Sequence, residues 1–105
     1  MTSVPAMTGW TLDRAAFTIQ KDGGPTIYPT RSEFIVLRMM AERPGQLCLR
    51  EAVFEYVPAL GARDTLMQAV DSYIKRLRKK GVDAIRTRYG FGYYWDATVP
   101  IRVIN

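Results

Sequence analysis

The stretch YIKRLRKKGVDAIRTRYGFGYY, Tyr73 to Tyr94, decides how this chain is read. It carries seven basic residues (Lys75, Arg76, Arg78, Lys79, Lys80, Arg86 and Arg88) against the single acid Asp83, a local charge of +6. The whole chain, with 15 Lys and Arg and 10 Asp and Glu, carries +5, so everything outside the stretch sums to −1. A field of one sign confined to one segment suits a polyanion such as nucleic acid better than it suits general solubility.

Upstream of Gly81 the apolar residues recur at helical spacing. Thr65 and Gln68 have capping-box spacing, and a helix over about 65–80 follows, with basic residues at its negative end and Gly81 as its stop. At 100° per residue, Leu66, Val70, Tyr73, Ile74 and Leu77 form one stripe, and Gln68, Ser72, Lys75 and Lys79 lie opposite, with Arg76 and Arg78 on the flanks. Downstream, DAIRTR and YYWDA flank YGFG and predict a hairpin over about 84–96. Arg86 and Arg88 project from one face of it and Thr87 from the other, while Tyr89 and Phe91 surround a tip made by Gly90 and Gly92. Phe91, Tyr93 and Trp95 read as hairpin and core packing.

Working outward, WTL, AFTIQ and TIYP alternate with turn residues, above all Asp22-Gly23-Gly24-Pro25, and predict a small antiparallel sheet over about 9–28. At Thr30 the period changes. Thr30 and Glu33 form a second capping box, Phe34, Leu37, Met40 and Ala41 follow at helical spacing, and Arg43-Pro44-Gly45 ends a helix of about 30–43. A shorter helix fits about 49–57, with Ala52, Val53 and Tyr56 on one side and Pro58 closing it. The last run, VPIRVIN, lies in a tail over 97–105 and offers one more strand, which Pro100 restricts to a sheet edge. The expectation is a single α+β domain spanning 1–105.

Several functions are excluded at this stage. Histidine is absent and Cys48 is the only cysteine, so neither an imidazole base nor a thiolate cluster for zinc is available, and no metal, cofactor or catalytic residue is expected. Cys48, among apolar neighbours in QLCLR, reads as a small buried hydrophobe. Glu51 and Glu55, four apart, read as a solvated helix face and not as a catalytic pair. No apolar run reaches the roughly 18–20 residues that cross a bilayer and no secretory signal opens the chain, so a cytoplasmic protein is expected.

The order sheet, three helices, hairpin, together with RSEFIVLRMM, RPGQLCLREAVFEYV, AVDSYIKRLRKK and IRTRYGFGYYW, resembles the OmpR/PhoB-type DNA-binding domains, the output domains of bacterial response regulators. The likeness runs from about Gly9 to Trp95. It implies a winged helix-turn-helix whose third helix enters the major groove and whose wing, the hairpin, touches the minor groove or its phosphates. By position it implies backbone contacts from Lys75 and Arg78, base-edge reach for Arg76, further contacts from Gln68, Ala69, Ser72 and Tyr73, and a wing contact from Thr87. Charge and placement add Lys79, Arg86, Arg88 and Tyr89 to the expected DNA-binding set.

The chain departs from the family pattern at three places. Tyr89 stands where an arginine usually precedes the first wing glycine, Ala69 replaces a hydroxyl residue, and Pro58 replaces a common tryptophan. The 105 residues contain no phosphorylatable receiver domain, and Met1 with its short polar lead-in favours a free-standing regulator over an excised output domain. The expected partner is double-stranded DNA, bound as a homodimer or in tandem on repeated sites, with four to six neutralised phosphates giving a salt slope of roughly −4 to −5. The alternative is a winged-helix module that binds RNA polymerase or another transcription regulator.

Overall fold

The computed structural model describes residues 9–56 and 66–105, without the side chains of 54–56 and 66–68. The expected cap at Thr65, the loop 58–64 and the side chains of Tyr56 and Gln68 lie outside the described residues.

The first sheet begins as expected. β1 (Trp10–Asp13) pairs antiparallel with β2 (Thr18–Lys21), and β2 pairs with β3 (Thr26–Ile27). The Asp13 carboxylate accepts from the amides of Ala15 and Ala16 at 2.9 and 3.0 Å, which closes the first turn, and Gly23 takes a φ of +78° in the second. The run after Pro100 completes this sheet: β7 (Ile101–Ile104) lies parallel to β1, giving the order β3-β2-β1-β7 with β7 at an edge. Pro100 sits just ahead of the strand, and its carbonyl accepts from the Trp10 amide at 2.9 Å. The strands over 9–28 are antiparallel as expected, and the strand expected after Pro100 lies at an edge; its parallel pairing with β1, which makes the whole sheet mixed, was not expected, because a partner some ninety residues away leaves no local trace.

α1 (Arg31–Ala41) is capped as read: the Thr30 hydroxyl accepts from the Glu33 amide and Glu33 reaches back to the Thr30 amide. It buries Phe34, Val36, Leu37, Met40 and Ala41. Gly45, at φ +82°, turns the chain towards β4 (Cys48–Leu49), a strand where a helix start was expected at Leu49. β4 pairs with β6 (Gly92–Trp95), which pairs in turn with β5 (Ile85–Arg88). A Cβ on Gly92 would lie 2.0 Å from the Cys48 carbonyl oxygen, so glycine is what lets the strands approach. Helical periodicity from Leu49 to Val57 concealed this pairing, because its cause lies at Gly92. α2 (Arg50–Tyr56) follows directly.

α3 (Leu66–Lys79) ends as the sequence implies. Gly81, at φ +115°, donates to the Arg78 carbonyl and Val82 to the Leu77 carbonyl, both at 3.0 Å, which is the Schellman arrangement. Val70, Ile74 and Leu77 are buried with Trp10, Leu12, Ile19, Leu37, Met40 and Trp95 in one core, where the two indoles meet edge to face at 5.9 Å. Cys48 is buried and free, and burial pushes its thiol above the usual value.

One charge enters this core. Glu33 is fully buried, and its carboxylate accepts from Lys80 at the end of α3, which also reaches the Tyr28 carbonyl. Burial pushes the Glu33 carboxyl up, but the Lys80 hydrogen bond, the Thr30 amide and the charges of Lys80 and Arg76 outweigh it and leave it below its ordinary value. A carboxyl depressed in the folded state stabilises the fold above the unfolded carboxylate range, and that contribution is lost as pH falls through its folded value. Urea unfolding from pH 7 down to pH 3 should therefore show an acid loss of stability that Glu33→Gln flattens. At pH 7, Lys80→Met should cost about 2 kcal/mol by leaving the carboxylate buried and unpaired.

Candidate nucleic-acid interface

Because Val70, Ile74 and Leu77 are buried, the opposite side of α3 must face water. Ser72, Lys75, Arg76 and Lys79 are exposed and line a shallow concavity of about 290 Å³. A second, of about 210 Å³, is formed by Ala69, Ser72, Tyr73 and Arg76, so Ser72 and Arg76 border both. The Tyr73 ring is half-buried against the core, and the Arg76 guanidinium sits 5.8 Å from its centroid.

The wing lies beside this face. Arg86 and Arg88 project from β5 as expected, with Thr87 half-buried between them. At the tip Gly90 takes φ +86°, Tyr89 is 88% exposed and Phe91 50% exposed, and the Arg88 guanidinium lies 5.1 Å from the Phe91 ring. A third concavity, of about 200 Å³, separates the wing from the helices and is bordered by Arg50, Asp71, Arg88 and Tyr93 among others.

The seven cations divide into two groups. Arg78 donates from Nη2 to the Ile85 carbonyl at 3.1 Å and to the Thr87 hydroxyl at 2.7 Å, and its guanidinium covers the Tyr93 ring at 5.6 Å. Arg86 pairs with Asp96 at 3.0 Å and donates to the Asp83 carbonyl, and Lys80 holds Glu33. Lys75 and Lys79 have no ion-pair or hydrogen-bond partner among the described residues, and Arg76 and Arg88 touch only aromatic rings there. The Asp96 carboxyl is held below its ordinary value by the Thr98 hydroxyl and amide first, with Arg86 adding to them.

Sequence reasoning missed three residues at this junction. Arg50 grips Asp71 through two nitrogens, and the Tyr93 hydroxyl donates to the same carboxylate at 2.6 Å. The only local hint was Asp71 itself, the one acid among the polar positions of a basic helix; its partners lie 21 and 22 residues away. No group of three or more potential metal ligands exists among the described residues.

Residues 24–95, which include α3 and the wing, match a known family described as "Transcriptional regulatory protein, C terminal". The chain belongs to that family. The TorCAD operon transcriptional regulatory protein TorR of Escherichia coli (strain K12) is 33% identical over 92 residues, which cover 87% of this chain but only 40% of TorR. Among solved structures, the DNA-binding domain of Bacillus subtilis CssR is similar with a TM-score of 0.72 at 26% identity, covering 83% of this chain and 99% of that one. The C-terminal DNA-binding domain of RstA from Klebsiella pneumoniae has a TM-score of 0.68, also at 26% identity, over 91% of this chain and 94% of that one. The winged-helix architecture inferred from IRTRYGFGYYW is thus that of the family, whose matched region ends at Trp95, ahead of β7.

Burial, the Asp71 hydrogen bond and the Asp71 charge, partly offset by Arg50 and Arg78, push the Tyr93 hydroxyl up to about 12. A raised folded value means that the neutral phenol stabilises the fold below the unfolded tyrosine range and that this contribution is lost as pH rises through about 12. Alkaline absorbance titration should show one late phenol that is missing in Tyr93→Phe.

Proposed function

We propose that the chain is a sequence-specific double-stranded DNA-binding transcription regulator, with α3 in the major groove and the wing on the adjacent backbone or minor groove. The observation that carries this reading is the free face of α3: Ser72, Lys75, Arg76 and Lys79 stand exposed together, while the cations around them are held by the protein itself. A helix about 10–12 Å across with its side chains suits a major groove about 12 Å wide. Membership of a transcriptional-regulator family and likeness to domains described as DNA-binding support it.

In this reading Lys75, Lys79 and Arg88 neutralise phosphates, and Arg76 reaches base edges, where a guanidinium can bond both acceptors of a guanine. Gln68, Ala69, Ser72 and Tyr73 complete the groove surface, and Tyr89 makes the wing-tip contact that an arginine makes elsewhere in the family. Arg78, Thr87 and Arg86 act from within the wing junction. A single domain covers one half-site, so two copies bind as a homodimer or in tandem. The reading needs no cofactor and no catalytic step, and it places the protein in the cytoplasm; no described helix is long and apolar enough to cross a membrane. The exposed Tyr89 and Phe91 are what favour the second reading, a module that docks on RNA polymerase or another regulator.

Selection of bound duplexes from a random pool separates the two, since only the first predicts a shared motif. On the selected duplex, the three phosphate-neutralising cations Lys75, Lys79 and Arg88 predict a log K against log salt slope of roughly −2.7 for each bound domain. Arg76→Ala should lose about 1–3 kcal/mol and relax selectivity at one base pair, whereas Lys75→Ala should weaken cognate and scrambled duplexes alike. Equal losses on both duplexes for both variants would contradict this division of labour.

A further inference from the structure

Asp71 and Arg78 are seven residues apart on α3, which sets them two turns and about 10 Å apart along one flank of the helix. Both are fastened to the wing, each to a different strand. Asp71 accepts from the Tyr93 hydroxyl of β6 and is itself gripped by Arg50 at the start of α2. Arg78 fastens to β5. The carbonyls of Ala84 and Arg88 turn towards β6, where they accept from the amides of Asp96 and Phe91. By the alternation of a strand the Ile85 carbonyl then faces the open edge, and Arg78 Nη2 meets it there together with the Thr87 hydroxyl. The pairing of β6 with β4 and the burial of Trp95 anchor the base of the wing, and the two attachments, separated along the helix, add a brace that sets its angle to α3.

We propose that Arg78 is a positioning residue for DNA recognition: with Thr87 on one side and the Arg50–Asp71–Tyr93 chain on the other, it holds the wing at a set angle to α3 and does not act by neutralising a phosphate. This rests on the DNA-binding reading above. The chemistry supports a strut, because one planar nitrogen with two hydrogens is directed at two acceptors while the guanidinium face covers the Tyr93 ring. A lysine keeps the charge and lacks the flat guanidinium face that covers Tyr93 while its Nη2 meets the two acceptors. Thr87 matters here as an acceptor, so its role is tied to that of Arg78.

The test compares Arg78→Lys, Arg78→Ala, Thr87→Val and the double variant Arg78→Ala/Thr87→Val with Arg88→Ala as the phosphate-contact control. In the free protein, amide hydrogen exchange from Arg86 to Gly90 should quicken in Arg78→Lys and Arg78→Ala while the amides of α1 stay protected, which also shows that the variants fold. On the selected duplex, Arg78→Lys should lose affinity about as much as Arg78→Ala with the salt slope unchanged, whereas Arg88→Ala should lower the slope by about 0.9. The double variant should lose no more than the worse single one, as expected when two changes break one contact. Wild-type affinity in Arg78→Lys, a slope reduced by about one in Arg78→Ala, or additive losses with Thr87→Val would each overturn the proposal. Failure of the unmodified protein to bind any duplex would overturn the DNA-binding reading instead, and the exchange measurement would still decide whether the strut exists.

Discussion

Burial of Val70, Ile74 and Leu77 in the common core is the constraint on which the rest of the molecule depends. These three side chains set the rotation of α3 about its axis, and that rotation decides which residues are presented and which are enclosed. Turned by a third of a revolution, the same helix would direct Lys75 and Lys79 into the apolar interior, where an unpaired ammonium is costly. The Schellman turn at Gly81 and the Lys80–Glu33 pair then fix the end of the helix against the start of α1. A buried ion pair is weak evidence for stability. Here its evident effect is geometric, since it joins the cap of one helix to the stop of another.

From this fixed helix the positive charge sorts itself by distance to internal acceptors. Cations near a strand edge, a buried carboxylate or Asp96 find partners within the protein while staying exposed, and those on the outer face have no hydrogen-bonding or ionic partner among the described residues. Formal charge alone therefore overstates what the segment offers to a polyanion. The sequence sum over Tyr73 to Tyr94 is +6, yet four of the seven cations stand without a hydrogen-bonding or ionic partner among the described residues. The wing is braced on the same helix by Asp71 and Arg78, so the exposed face of α3 and the wing share their supports.

Much of this was legible in the sequence wherever the cause was local. The Thr30–Glu33 box, the Gly81 stop, the Asp22–Gly24 turn and the alternation of Arg86, Thr87 and Arg88 each depend on neighbours a few residues away, and each stands as read. Helical periodicity also separated Ile74 and Leu77 from Ser72, Lys75 and Lys79. What escaped was set by partners distant in the chain. Cys48–Leu49 is strand because Gly92 admits it, and Ile101–Ile104 is paired because β1 lies open beside it. Asp71 is neutralised by Arg50, and Arg78 is drawn to an edge carbonyl that no helical wheel displays.

The central claim is that the outward side of α3, and not the mixed sheet on the other elements, meets the duplex. Its most direct test is a chemical-shift titration of isotope-labelled protein with a selected duplex at low salt. The account predicts the largest changes at Ser72, Lys75, Arg76 and Lys79, with Arg88 and Tyr89 following and β1, β2 and β7 silent. Changes confined to that sheet, or none at stoichiometric duplex, would contradict it.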